Sequence, residues 1–414
     1  MRNVLVIDSA SRCGSSFLYH LLSRHPDVLS LNGEGSVFER LHGVGLVRSA
    51  EDSDFVPDDG TIAAETAALI AGDVLLDAGS PSRDGNGDGF RRDDYLADCV
   101  QRLTLQYAEV DFDVERARAI CERALGGRSP AAPGFDVPEY WRAVLAGVRA
   151  EGLPAEAVRY DLRGSDPTAD FPDAGNRLAP TFSEFALEDP PFVVPRPRAL
   201  PKPGALGGKT LLLKSSSDCY RMWLVRRMFP NAKFKFVVLT RNPAAAISGL
   251  MDGWLSDGFY SVNVGGVAPL SIAGYTREER PWTRTWWNFD LPPGWAAAAS
   301  RPLEEVCALQ WSSANAFILR DAASGVVDDR VNVRYESFLE PASLARELDR
   351  IFSFAGLRPA PAVRREASAP VMSVTPPAPQ KWRKRRDAIA AAVEGTLELA
   401  GELGYDPARR EEWP

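Results

Sequence analysis

Apolar and polar positions divide the chain into a patterned start, a poorly patterned middle and a patterned second half. Val4-Leu5-Val6-Ile7 is a continuous apolar run, the signature of a central parallel strand covered on both faces. Ser9 to Ser16 is a small-residue turn. Phe17, Leu18, Leu21 and Leu22 then recur at helical spacing. That helix should stop near His25-Pro26, because the residue before a proline avoids the α region. Thr210–Leu213 predicts a short strand. Ser216 or Ser217 then stands where it could cap a helix carrying Tyr220, Trp223, Leu224 and Met228. Phe234–Thr240 has the highest β-propensity in the chain. Arg241-Asn242-Pro243 follows, with Pro243 suited to the first turn of a helix over 244–250. The pattern goes on with a helix at Leu303–Asp321, a strand at Val331–Tyr335, a helix at Ser343–Phe354 and a last helix at Arg385–Leu403, ending at Gly404.

The middle reads differently. Helical patterns occur at Ile62–Leu76, Val114–Leu125 and Glu139–Val148, and Asp189–Pro203 holds six prolines, which excludes regular structure there. Residues 46–205 are therefore read as a mostly helical insertion ending in a proline-rich connector at 189–203. Residues 252–299 are rich in Trp, Gly and Pro and read as a long loop. Strands alternating with helices predict an α/β fold of P-loop-like topology, a central parallel sheet flanked by helices with a large insertion. The whole, 1–414, is read as one domain.

Composition narrows the function classes. The 414 residues carry 48 Lys and Arg against 56 Asp and Glu, a net charge of −8, so nucleic acid is not expected as a partner. No apolar run reaches the length of a membrane span and no secretory leader is visible, so a cytoplasmic protein is expected. Five cysteines without a C-x-x-C pair indicate neither a zinc knuckle nor a disulfide framework. The three histidines, His20, His25 and His42, all lie near the start, and no metal site is expected.

Two segments carry chemistry. A strand feeding a Gly/Ser turn feeding a helix is an anion cradle, with free N–H groups and the helix dipole directed at the ligand. Here Gly14 permits close backbone approach, Ser15 and Ser16 add hydroxyls, and Arg12 adds a planar cation. No lysine precedes the serines, so the turn is not a Walker A loop. Gly207-Gly208-Lys209-Thr210 ends like one but precedes a strand, and reads as a turn. In the second segment Arg241 closes a parallel strand on the ligand edge of the sheet, with Ser248 seven residues later.

These motifs have a family likeness. Ser11-Arg12-Cys13-Gly14-Ser15-Ser16-Phe17-Leu18, with Arg24-His25-Pro26-Asp27-Val28, resembles the 5′-phosphosulfate loop and first helix of the sulfotransferases. The form is that of the carbohydrate and protein-tyrosine branches. Leu239–Pro243 with Ser248 resembles the family's 3′-phosphate motif. Arg334-Tyr335-Glu336-Ser337-Phe338 resembles its R-Y-E-D-L strand end, and Lys381-Trp382-Arg383 its C-terminal segment. Cys13 stands where Ser is usual, Ser337 where Asp is, and 46–205 has no counterpart.

The resemblance implies transfer of a sulfuryl group from 3′-phosphoadenosine 5′-phosphosulfate (PAPS) to a hydroxyl of a small-molecule or carbohydrate acceptor, leaving 3′-phosphoadenosine 5′-phosphate (PAP). No metal is required. It implies donor contacts at Arg12, Cys13, Gly14, Ser15, Ser16, Phe17, Arg241, Ser248, Tyr335 and Arg383 or a basic neighbour, with 370–414 closing the nucleotide site. Arg12 and Lys214, at the end of the Leu211–Leu213 strand, would stabilise the leaving phosphate. Glu34, between Gly33 and Gly35, stands where the tyrosine branch has its general base, with His42 a weaker candidate; burial would raise the pKa of such a carboxyl. The cluster Trp282, Trp286, Trp287, Phe289 and Trp295 reads either as packing anchors or as an acceptor wall. An ATP-dependent small-molecule kinase and a non-catalytic nucleotide-binding module are the alternatives. Composition suggests a bacterial source; a homo-oligomer is left open, and the acceptor is not legible.

Overall fold

A computed structural model describes residues 2–31, 34–79, 92–106, 113–130, 132, 134–153, 204, 206–256, 260–361, 363 and 378–414. The elements in chain order are β1 (Asn3–Ser9), α1 (Ser15–Ser23), β2 (Val28–Ser30), α2 (Ser36–Leu41), α3 (Ala64–Gly79), α4 (Arg92–Gln106), α5 (Val114–Leu125) and α6 (Val137–Ala150). They continue with β3 (Thr210–Leu213), α7 (Met222–Met228), β4 (Lys233–Thr240), α8 (Pro243–Trp254), β5 (Tyr260–Asn263), β6 (Trp286–Asn288) and α9 (Trp295–Ala298). The last are α10 (Leu303–Ser324), β7 (Arg330–Arg334), α11 (Pro341–Ala355), α12 (Arg386–Glu394) and α13 (Leu397–Glu402).

Five strands form one parallel sheet in the order β2-β3-β1-β4-β7, the P-loop-like arrangement expected. Helices cover both faces, which is why Val4 to Ile7 of β1 form an unbroken apolar run. Val4 and Val6 face a core shared with α3, α7, α8 and α10. Leu5 and Ile7 face a second core built with α1 and α11. β7 lies at the edge and alternates, with Val331 and Val333 buried between exposed neighbours.

The insertion has two parts. The Ile70–Val74 side of α3 joins the main core, whereas α4, α5 and α6 surround a core of their own, centred on Leu96, Ile120, Trp141 and Leu145. The connector at 189–203 lies outside the described residues. The expected last helix, 385–403, is two pieces, α12 and α13, separated at Gly395-Thr396 and preceded by a 3-10 turn at Lys381–Arg385. The expected loop 252–299 holds the antiparallel ribbon β5-β6. No helix among the described residues is long and apolar enough to cross a membrane.

Candidate active site

The sheet order creates the site. β1 has β3 on one side and β4 on the other, so the connections diverge at its carboxyl end, where open α/β sheets bind ligands. Ser9 pairs with Leu239, which brings the turn after β1 beside the turn after β4. There the Arg241 Nη1 donates to the Arg12 carbonyl at 3.0 Å. Arg12 and Arg241 thus share one rim.

The turn is conformationally demanding. Arg12 has φ +62° and Gly14 φ +92°, both left-handed. A Cβ on Gly14 would lie 2.3 Å from Cδ2 of Tyr335, so glycine is needed because a ring covers it. The same ring carries the Arg241 guanidinium, 4.3 Å from the centroid. Its Nε is buried and without a hydrogen-bond partner among the described residues. Burial pushes the Cys13 thiol up to about 12, so Cys13 stays neutral and serves the turn by packing.

The Arg241-Asn242-Pro243 segment is fixed from several directions. Asn242 caps α8, its Oδ1 accepting from Ala245 N at 2.8 Å. Its backbone N and Nδ2 donate to Glu336 Oε1 at 2.9 and 2.7 Å, and Tyr405 OH donates to Glu336 Oε2 at 3.1 Å. The Tyr335-Glu336 pair therefore covers one turn and braces the other. Ser337 donates to the Arg334 carbonyl at 2.7 Å, stabilising its own 3-10 turn.

On the opposite flank, β3 delivers Lys214 to the first turn of α1. Its Nζ donates to Ser16 Oγ at 3.1 Å and to Glu34 Oε1. An ammonium missing from the loop's own sequence is thus supplied by the adjacent strand. Glu34 Oε2 accepts from Ser215 Oγ at 3.0 Å and from Ser216 N at 3.1 Å. Both members of the ion pair are almost fully buried, with Lys214 5% and Glu34 2% exposed.

Near Ser248 the cation is Arg385. Its Nη1 donates to the Ser248 carbonyl at 3.1 Å and to its Oγ at 3.4 Å. Asp252 holds both Arg385, at 2.5 Å, and Lys381, at 2.6 Å. Arg383 instead donates to the Glu411 carbonyl at 2.5 Å. His42 pairs with Asp73 at 2.8 Å. Trp286, Trp287, Trp295 and Phe289 are core residues, and the side chain of Trp282 lies outside the described residues.

Sequence reasoning missed one participant. Asp290, 1% exposed, accepts from Ser11 Oγ at 2.5 Å and from Tyr220 OH at 2.7 Å. Burial raises its pKa from 3.8 to about 7. Among the described residues no group of three or more His, Cys, Asp or Glu could hold a metal ion.

No family model matches the chain, and no curated protein matches it. Among solved structures the chain is similar to the sulfotransferase domain from the curacin biosynthetic pathway, at 10% identity, covering 98% of this chain and 99% of that one, with a TM-score of 0.36. It is also similar to a sulfotransferase from Alicyclobacillus acidocaldarius, at 13% identity, 99% of both chains and a TM-score of 0.34. A third is the sulfotransferase STF1 from Mycobacterium tuberculosis H37Rv, at 12% identity, covering 94% of this chain and 77% of that one, with a TM-score of 0.31. Likeness at these scores carries no weight for what this chain does.

Proposed function

We propose that the protein is a sulfotransferase that moves the sulfuryl group of PAPS to a hydroxyl of a small-molecule or carbohydrate acceptor. The observation that supports it is the placing of Arg12 and Arg241 on one rim, with Lys214 and Ser16 on one flank and Ser248 and Arg385 on the other. The rim suits a ligand with two separated anionic groups. The buried Arg241 Nε offers a donor that no described residue uses.

PAPS supplies an activated sulfuryl group on a phosphate that can leave. Such a loose, in-line transfer needs positioning and charge stabilisation more than covalent chemistry. In this reading the backbone of Cys13 to Phe17, the Ser15 and Ser16 hydroxyls and Arg12 hold the 5′ end. Arg241, Ser248 and Arg385 hold the 3′-phosphate. The acceptor hydroxyl gives its proton to Glu34 as its oxygen bonds to sulfur. Lys214 touches both Glu34 and Ser16. Its attraction passes from the carboxylate to the leaving phosphate as one loses charge and the other gains it.

Titration calorimetry tests the reading. PAP is expected to bind far more tightly than ATP, and equal or tighter ATP binding would count against it. Arg12→Ala should slow the release of PAP from PAPS by about 10²–10³-fold, the usual cost of one transition-state donor, with melting temperature kept. The acceptors for that assay are water and a panel of phenols and sugars.

A further inference from the structure

Residues 288–290 form a turn that touches the anion loop twice. Asp290 takes the hydroxyl of Ser11, the residue before Arg12. The Phe289 ring lies 6.0 Å from the Arg12 guanidinium carbon, at the outer limit of cation–π contact. Phe289 itself has φ +62°, a conformation that bulky side chains avoid. Its ring occupies the space a side chain at Gly253 would need; a Cβ there would stand 2.2 Å from Cζ.

The turn is pinned in this shape. Gln310 Nε2 donates to the carbonyls of Asn288 and Asp290, both at 2.8 Å, and Trp287 Nε1 donates to the Asp290 carbonyl at 2.8 Å. Ser261 donates to the Phe289 carbonyl. Asp54 Oδ2 accepts from Leu291 N at 2.6 Å, and Arg221 holds Asp54 through its carbonyl at 2.8 Å. An unfavourable backbone held by this many bonds is over-determined, as strained turns at functional sites are.

We infer that Asp290 is a positioning residue for Arg12, fixing through the Ser11 hydroxyl the left-handed turn that aims the guanidinium, with Phe289 as its lateral stop. The inference rests on the donor reading above. Each carboxylate oxygen accepts one hydroxyl, from Ser11 at Oδ1 and Tyr220 at Oδ2, and the ionised carboxylate is the stronger acceptor for both. Asp290 faces Cys13 of the loop, Cys219 and Tyr220 of the short helix after β3, and Cys307 of α10, all kept neutral by burial. Asp54 is a further carboxylate acting on it.

Two variants and two readouts test this. Asp290→Asn keeps the shape but loses one acceptor, and Ser11→Ala removes the donor with little risk to folding. Both should slow PAP release from PAPS about 100-fold while the dissociation constant of PAP moves less than threefold. The wild-type rate should rise with pH through about 7, the value to which burial brings Asp290, and Asp290→Asn should lose that rise. Hydrogen exchange of residues 10–16, measured without nucleotide, should quicken about tenfold in both variants. Unchanged exchange, or quickened exchange with an unchanged rate and pH profile, overturns the inference. A wild type that does not bind PAP overturns the donor reading instead, and the exchange result still decides whether Asp290 fixes the loop.

Discussion

The two flanks of the rim hold their cations differently. On the β3 flank, Lys214 and Glu34 are sealed from solvent, and Ser215 and Ser216 satisfy the second carboxylate oxygen. On the α8 flank, Arg385 and Lys381 share Asp252, and both cations remain about a quarter exposed, 29% and 25%. A sealed pair responds strongly to loss of one member, because the survivor is left charged without a partner. A partly exposed pair is screened by water and salt more than a sealed one and exchanges partners at less cost. The β3 flank is therefore suited to chemistry at a fixed geometry, and the α8 flank to gripping and releasing a phosphate.

The largest effects should come from breaking the sealed pair. Glu34→Gln removes the proposed base and strands Lys214. PAP release from PAPS should fall about 10²–10⁴-fold, the range for a lost general base. Stability should fall by about 3–5 kcal/mol, the usual cost of orphaning a buried charge. Lys214→Met combined with Glu34→Gln should recover most of the melting temperature and none of the rate. Recovery of both would show that the pair only holds the fold.

Burial without a cation gives the next effect. Asp8, at the carboxyl end of β1, has neither carboxylate oxygen paired among the described residues, and burial followed by the field of Asp321 raises its pKa from 3.8 to about 7. The folded state then keeps a proton that the unfolded chain has lost. Stability should fall as pH rises from about 4 to 7 and level off above, by up to about 4 kcal/mol at about 1.4 kcal/mol per pH unit. Asp8→Asn should reduce that slope, matching the wild type at pH 4 and exceeding it at pH 8 in thermal melts. The raised Asp290 adds to the same slope, so the variant flattens it only in part.

What was legible in the sequence follows from how local each signal is. Strand, turn and helix around Arg12 and Arg241 were readable because each is written in about fifteen consecutive residues, with Gly14 and Pro243 marking the turns. Lys214 and Glu34 were readable as single positions beside such turns; their mutual bond, across 180 residues, was not. Asp290 was invisible. It meets Ser11 across 279 residues, from a stretch whose Trp, Gly and Pro content gives no period. Arg383 and Arg385 could not be told apart by sequence, because a tight 3-10 turn decides which guanidinium faces Ser248. The supposed single last helix hid a break that Gly395, an interior glycine, could have signalled.

The exposed flank should respond more weakly. Arg385→Ala loses one charge-assisted contact at Ser248 in a partly solvated place, worth about 1–2 kcal/mol. The dissociation constant of PAP should rise about tenfold and the maximal rate of its release from PAPS by less than threefold either way. Raising salt should close the gap between variant and wild type, because screening removes what the substitution removed. A loss confined to the rate would place Arg385 in the transfer step and erase the difference between the flanks.

The smallest effect belongs to Arg383. Its guanidinium is bound to the Glu411 carbonyl at 2.5 Å and lies 5.9 Å from the Trp382 ring, an exposed contact. Exposed contacts of this sort contribute about 0–1 kcal/mol. Arg383→Ala should leave the PAP dissociation constant within twofold and the melting temperature nearly unchanged. The comparison with Arg385→Ala, two positions away in the same short turn, separates place from charge, since each variant lowers the net positive charge of the segment equally. Equal losses from both would mean that the basic cluster acts through its summed field, and that Ser248 marks no particular seat for a phosphate.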